Sequence, residues 1–158
     1  MSTFAIHPVR SPDDLAAAKT LFEAYAASLG INLSYQNFVE EMAAMPGKYA
    51  PPKGELLLAR SPDGAALGCV GLRPLPSDGD CEMKRLYVTP EGRGLGLGKA
   101  LAERVIDEAR RIGYRRMLLD TLPSLATAVA LYDRMGFVRI PAYYETPIPG
   151  TIFMVLAL

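Results

Sequence analysis

Net charge is the first thing this chain lacks: 17 basic and 17 acidic residues cancel across 158 positions. No global field draws it to nucleic acid or to an anionic membrane surface, and neither is expected as a partner. Cysteine is scarce, with only Cys69 and Cys81, and these lack the tight spacing of a metal or redox motif. Two such thiols are expected to be reduced and buried, as in a cytoplasmic protein. No apolar run approaches the ~20 residues of a membrane span. The opening "MSTFAIHPVRSPDD" has no signal-peptide pattern, which again favours the cytoplasm. A single histidine, His7, reads as a surface or strand-edge residue. Without a Cys/His cluster no metal is expected, and without a G-x-S-x-G elbow a hydrolase nucleophile is poorly supported.

What is present is enough for a core. Half the residues are hydrophobic, and the length suits one ordinary domain spanning 1–158. "TFAIHPV" reads as a first strand. Ser11, Pro12 and Asp14 make a helix start, with a serine cap, proline at the first position and an acid in the first turn. That helix should run to about Leu29 before Gly30, and a second is predicted over Tyr35–Met45. "ELLLAR", "ALGCVGLRPL" and "CEMKRLYV" are strand candidates joined by short glycine-bearing links, as in antiparallel hairpins. A helix over Gly98–Ile112, a strand over Arg115–Leu122, a helix opened by Pro123 and closed by Gly136, and two final strands complete the chain. The fold class is α/β (α+β mixed), a single domain with a mixed sheet.

The stretch "EGRGLGLGKAL", Glu91 to Leu101, carries glycine at every second position and then turns helical. Glycine loses the most conformational freedom on folding, so a sharp turn or a close backbone approach must compensate. A strand, a glycine-rich turn and a helix start form an anion site, because unpaired N–H groups and the helix dipole both face the turn. Neither familiar nucleotide loop fits. The dinucleotide fingerprint fails at Lys99, where its third glycine belongs. The P-loop fails at Arg93 and at Ala100, which replace its first glycine and its magnesium-binding hydroxyl.

Read as R-x-x-G-x-G, the segment from Arg93 to Gly98 resembles the coenzyme A loop of the GNAT family of N-acetyltransferases. The likeness extends over "LYVTPEGRGLGLGKAL" and "ALYDRMGF", from Cys81 to Phe137. It implies a mostly antiparallel mixed sheet of about six or seven strands flanked by about four helices. It also implies acetyl-CoA as cosubstrate and no metal. The cofactor pyrophosphate would meet Arg93, Gly94, Leu95, Gly96, Leu97, Gly98 and Lys99. Its pantetheine arm would lie along Leu86, Tyr87 and Val88, and Arg134 would reach its 3′-phosphate.

The same resemblance implies that Tyr132 protonates the departing thiol and that Glu82 is the base. Read from the residues alone, Tyr132 fits equally on an apolar helix face with Leu125, Ala128, Val129 and Met135. Glu82 could simply face solvent on the alternate side of its strand. Leu125 stands where many relatives place an asparagine, which weakens that cofactor contact; Ser124 or Thr127 replaces it only in part. Phe22, Tyr25, Tyr143 and Tyr144, with Tyr35 and Glu145, would wall the acceptor pocket, suiting a small amine or an amino-acid-like cation. "PAYYETPIPG" with "DTLPS" is similar to bacterial members of small-molecule type. Homodimers are common in the family, so one is possible here. The expected activity is direct acetyl transfer to a primary amine; the alternative is an acetyl-CoA-binding sensor without turnover.

Overall fold

Seven strands share one sheet in the order β1-β2-β3-β4-β5-β7-β6 in a computed structural model that describes residues 3–158. The strands are β1 (Ala5–Pro8), β2 (Glu55–Arg60), β3 (Ala66–Pro74), β4 (Asp80–Val88), β5 (Arg116–Thr121), β6 (Val138–Ile140) and β7 (Ile152–Ala157). The β2–β3 and β3–β4 pairs are the antiparallel hairpins that their short links predict. Only β4 and β5 run parallel, and helix α3 (Leu97–Ile112) makes the crossover between them. The last strand, β7, inserts between β5 and β6.

Alternation along the strands divides the apolar residues between two cores. On one face Leu57, Leu72, Met83 and Leu119 pack under Leu101 and Val105 of α3 and Leu131 of α4 (Ala126–Arg134). On the other, Leu56, Leu58 and Cys69 pack under Leu21 and Phe22 of α1 (Pro12–Leu29) and Phe38 and Met42 of α2 (Phe38–Ala44). Helix α1 begins as its sequence dictates: the Ser11 hydroxyl accepts the N–H of Asp14, Pro12 opens the first turn, and Gly30 ends it at φ 67°. Cys69 and Cys81 are both free and buried. Among the described residues no helix is long and apolar enough to cross a membrane.

Two boundaries differ from expectation. A continuous helix over Tyr35–Met45 does not form: a 3₁₀ turn covers Leu33–Gln36 and α2 starts only at Phe38. Asn32 begins that turn by accepting the Ser34 N–H, and Asn37 ends it in the left-handed region at φ 56°. The last helix starts at Ala126 rather than at Pro123, with Leu125 in a non-helical conformation and no side-chain cap.

The sheet's main irregularities fall on β4. Cys69 pairs with Tyr87 and Gly71 with Lys84, so two steps on β3 face three on β4. The extra residue is a β-bulge, and Arg85 takes a left-handed φ of 60° within it. On the other edge, pairing of β4 with β5 ends at Glu82–Leu118. Beyond that pair the strands part, leaving the β5-facing edge of β4 from Lys84 to Val88 without strand partners.

Candidate active site

The glycine run separates into two jobs. Gly92 is buried, and a Cβ there would lie 2.9 Å from the Leu67 carbonyl oxygen, so this position is set by packing. Gly94 and Gly96 instead adopt φ of 81° and 74°, and a Cβ on either would meet nothing within 4 Å. The chain turns sharply here with open space on its outer side. Helix α3 then starts at Leu97 without any side-chain cap, which leaves its first-turn N–H groups for a ligand. Leu97 sends its side chain into the core, and Leu95 is 39% exposed. Arg93 and Lys99 are exposed beside the loop, Lys99 with only Glu103 nearby at 3.8 Å. Arg134 is exposed at the end of α4. These positions suit a pyrophosphate: outward N–H groups on a helix dipole, bare glycines beside them and two exposed cations.

The parted strands frame a narrow cavity of about 40 Å³. Leu86, Asp120, Leu125, Ala128, Tyr25 and Tyr132 are among its walls. Leu125 faces this cavity, so the position that carries asparagine in many relatives offers an apolar wall here. Tyr132 is 6% exposed; burial foremost, with Tyr25 and Asp120 adding to it, pushes its hydroxyl well above the ordinary tyrosine value. It therefore keeps its proton at neutral pH, as a donor must. Tyr87 packs edge-on to Tyr25, with ring centroids 6.2 Å apart, and Val88 lies under the glycine loop within contact of Gly92 and Gly98.

On the α1–α2 face of the sheet, three cations and three acids interlock. The Arg85 guanidinium reaches both oxygens of Glu41 at 3.2 and 3.3 Å, donates to Gln36 at 2.7 Å, and lies over the rings of Phe38 and Tyr25. This set holds the bulge in its left-handed conformation. Lys84 is 4% exposed and donates to the Gln36 carbonyl oxygen at 3.2 Å, while the Gln36 amide nitrogen donates to Asp120 at 2.9 Å and to Tyr144 at 3.0 Å. Tyr144 also donates to Asp120. Burial lowers the Lys84 ammonium from its ordinary value, with Asp120 opposing. Burial alone would raise Asp120, but Lys84, the Tyr144 hydroxyl and Arg85 together hold it below the usual carboxylate range.

Two open cavities lie over this network. One, of about 450 Å³, is lined by Tyr35, Tyr49, Arg73, Lys84 and Tyr144 with residues of α2. The other, of about 470 Å³, is lined by Arg73, Glu82, Leu118, Tyr143 and Tyr144. Arg73 and Tyr144 belong to both.

Several expected site residues change place or company. Glu82 does not face bulk solvent: it is 1% exposed, accepting from Arg73 Nε at 2.8 Å and from the Tyr143 hydroxyl. It sits at the wall of the second open cavity, whereas Tyr132 lines the narrow cleft, so the two are not brought to one cavity. Phe22 is fully buried edge-on against Tyr49 and walls none of these cavities. Glu145 is exposed and also lies outside them. Tyr25 and Tyr35 do face the cleft, and Tyr143 and Tyr144 the open cavities.

Arg73, Lys84, Arg85, Asp120, Gln36 and Glu41 escaped sequence reasoning. One signal was available: "CEMKRLYV" and "MLLDT" place Lys84 and Asp120 inside otherwise apolar strands, where a charge must be partnered.

The chain belongs to the acetyltransferase (GNAT) family, whose model matches residues 20–137. An uncharacterized N-acetyltransferase of Schizosaccharomyces pombe is 44% identical over 157 residues, 99% of this chain and 96% of that protein. A crystal structure of a candidate acyl-CoA N-acyltransferase from Klebsiella pneumoniae superposes with a TM-score of 0.72 at 29% identity, covering 98% of this chain and 97% of that one. An acetyltransferase from Streptococcus agalactiae shares the fold over all of both chains, with a TM-score of 0.80 at 22% identity. The chain is thus an acyltransferase of the N-acetyltransferase class, a family that draws its acyl group from acetyl-CoA and passes it to an acceptor.

Proposed function

We propose that this protein transfers the acetyl group of acetyl-CoA directly to a primary amine of a small, amino-acid-like molecule. The observation that carries the reading is the parting of β4 from β5 between two different surfaces. An uncapped helix start with bare glycines lies on one side, and open, hydrogen-bonding cavities lie on the other. A thioester threaded between the strands would have its carbonyl within reach of an acceptor on the α1–α2 face.

Bound acetyl-CoA supplies the activated acetyl thioester. Gly94, Gly96 and the first-turn N–H groups of Leu97, Gly98 and Lys99 hold its pyrophosphate, with Arg93, Lys99 and Arg134 adding charge. The free edge of Leu86, Tyr87 and Val88 pairs with the pantetheine amides as an added strand does. In the reaction a C–N bond forms and the C–S bond breaks; the amine gives up a proton and the departing sulfur gains one. Tyr132, neutral and walled into the cleft, donates to that sulfur. Glu82 is the base, at the acceptor cavity wall, where each carboxylate oxygen retains a lone pair beyond its bond to Arg73 or Tyr143. Tyr25, Tyr143 and Tyr144 shape the acceptor space.

The test is release of free thiol from acetyl-CoA in the presence of a panel of primary amines. Acceptor-dependent release with formation of the N-acetyl product supports the reading. Binding of acetyl-CoA without release on any amine favours a sensor on the same fold.

A further inference from the structure

Arg73 is a cation of the network whose terminal nitrogens are left over. On β3 it pairs with Glu82, and its Nε donates to that carboxylate at 2.8 Å. Its Nη1 comes no closer than 4.0 Å to Glu41, beyond hydrogen-bond reach. Among the described residues the Nε bond is its only one, so the donors on both terminal nitrogens remain free. A guanidinium offers five N–H groups in a fixed fork that matches a carboxylate. Arg73 lines both open cavities, so its side chain borders each.

Other groups at that wall point the same way. Lys84, 4% exposed, lines the same cavity. Tyr49 lines it too, and its hydroxyl is buried without a hydrogen-bond partner. Lys48 and Glu40 stand at the exposed rim, while Glu41 is occupied by Arg85. Every buried acid here already has a cation of its own: Glu41 has Arg85, Glu82 has Arg73 and Asp120 has Lys84. Arg73 and Lys84 keep donors to spare, whereas each of these acids is already charge-paired. An acceptor bearing only positive charge would meet Arg73 and Lys84 at the wall, with Glu40, unpaired among the described residues, only at the exposed rim, which disfavours it.

We propose that the acceptor amine carries a carboxylate, and that Arg73 grips it through its two terminal nitrogens. Gripped there, the molecule directs its amine toward the parted strands, past Lys84. Arg73 is then a specificity-determining residue, selecting acidic or zwitterionic amines over plain ones. This inference rests on the acetyl-transfer reading and deepens it.

The experiment compares matched acceptors by thiol release at saturating acetyl-CoA. Each of several α- and ω-amino acids is paired with its own carboxamide and its decarboxylated amine. The expected result is a kcat/KM at least roughly tenfold higher for the carboxylate forms, as a charged hydrogen-bonded pair delivers. In Arg73→Lys, which keeps a cation beside Glu82 but loses the fork, that ratio falls several-fold through the acceptor KM. In Arg73→Gln it approaches one, and acetyl-CoA affinity, measured by titration, reports that each variant is folded. Wild-type turnover that ignores the carboxylate, or a ratio unchanged in both variants, overturns the assignment of Arg73 alone. Absence of release with every acceptor overturns the transfer reading and this inference with it.

Discussion

The Lys84 ammonium lies 3.6 Å from the Asp120 carboxylate at the place where β4 and β5 have ceased to pair. Each stands two residues past the last paired position, Glu82 opposite Leu118, so a side-chain ion pair spans a gap that backbone bonds do not. Removing one member of a buried pair typically costs about 3–5 kcal/mol, because the other charge is left without compensation. Lys84→Met should lose stability of that order. Adding Asp120→Asn should restore at least about 1 kcal/mol of it. Urea unfolding of both singles and the double decides, and strictly additive losses would contradict the coupling.

Asp120 also makes acid stability testable. Despite burial, Lys84, Tyr144 and Arg85 hold its carboxyl below the ordinary value, so the fold favours the ionised form. Its contribution is present above the unfolded value of about 3.9 and is lost as pH falls through the depressed native value. Below pH ~4, Asp120→Asn should therefore show a flatter fall of stability with pH than the wild type. Parallel acid-unfolding curves would contradict the assignment.

Tyr132→Phe should reduce kcat by about a hundredfold or more while leaving acetyl-CoA affinity within about twofold. The ring stays packed near Phe137 at a centroid distance of 5.6 Å, so only the proton donor is lost. Steady-state thiol release with a titration of acetyl-CoA separates the two quantities. An unchanged kcat would remove Tyr132 from the chemistry.

The glycine run predicts opposite outcomes at neighbouring positions. Gly92→Ala pushes a Cβ to 2.9 Å from the Leu67 carbonyl and should lower the melting temperature. A Cβ at Gly96 meets no protein atom within 4 Å, though in Gly96→Val the φ of 74° adds a strain of about 1–2 kcal/mol. Its larger effect should be on acetyl-CoA, with affinity falling at least roughly tenfold because a branched side chain fills the phosphate site. A folded Gly96→Val protein with wild-type affinity would show that the loop is only a turn.

Local chemistry made part of this molecule legible from its residues. Ser11 with Pro12, the glycines at 30, 64, 79 and 113, and the short apolar run of "ELLLAR" act within a few residues, so α1, the hairpins and α3 could be read directly. The glycine loop was legible for the same reason. The rest depends on distant partners. Arg85 holds its left-handed bulge through Glu41 and Gln36, 44 and 49 residues away, and nothing beside it in sequence announces that. The Asn37 break divides what helical spacing alone would join. Phe22 is expected at the acceptor wall, but nothing local says that its ring packs in the core against Tyr49. Arg73 reads as an ordinary strand arginine until Glu82 is placed opposite it.

The most direct test of the account is calorimetric titration of the purified protein with acetyl-CoA, with ATP and NAD as controls. The account predicts binding of acetyl-CoA alone, with a dissociation constant on the order of micromolar. Absence of binding by a folded protein, or equal binding of ATP, would contradict it and leave Gly94 and Gly96 as residues of a tight turn.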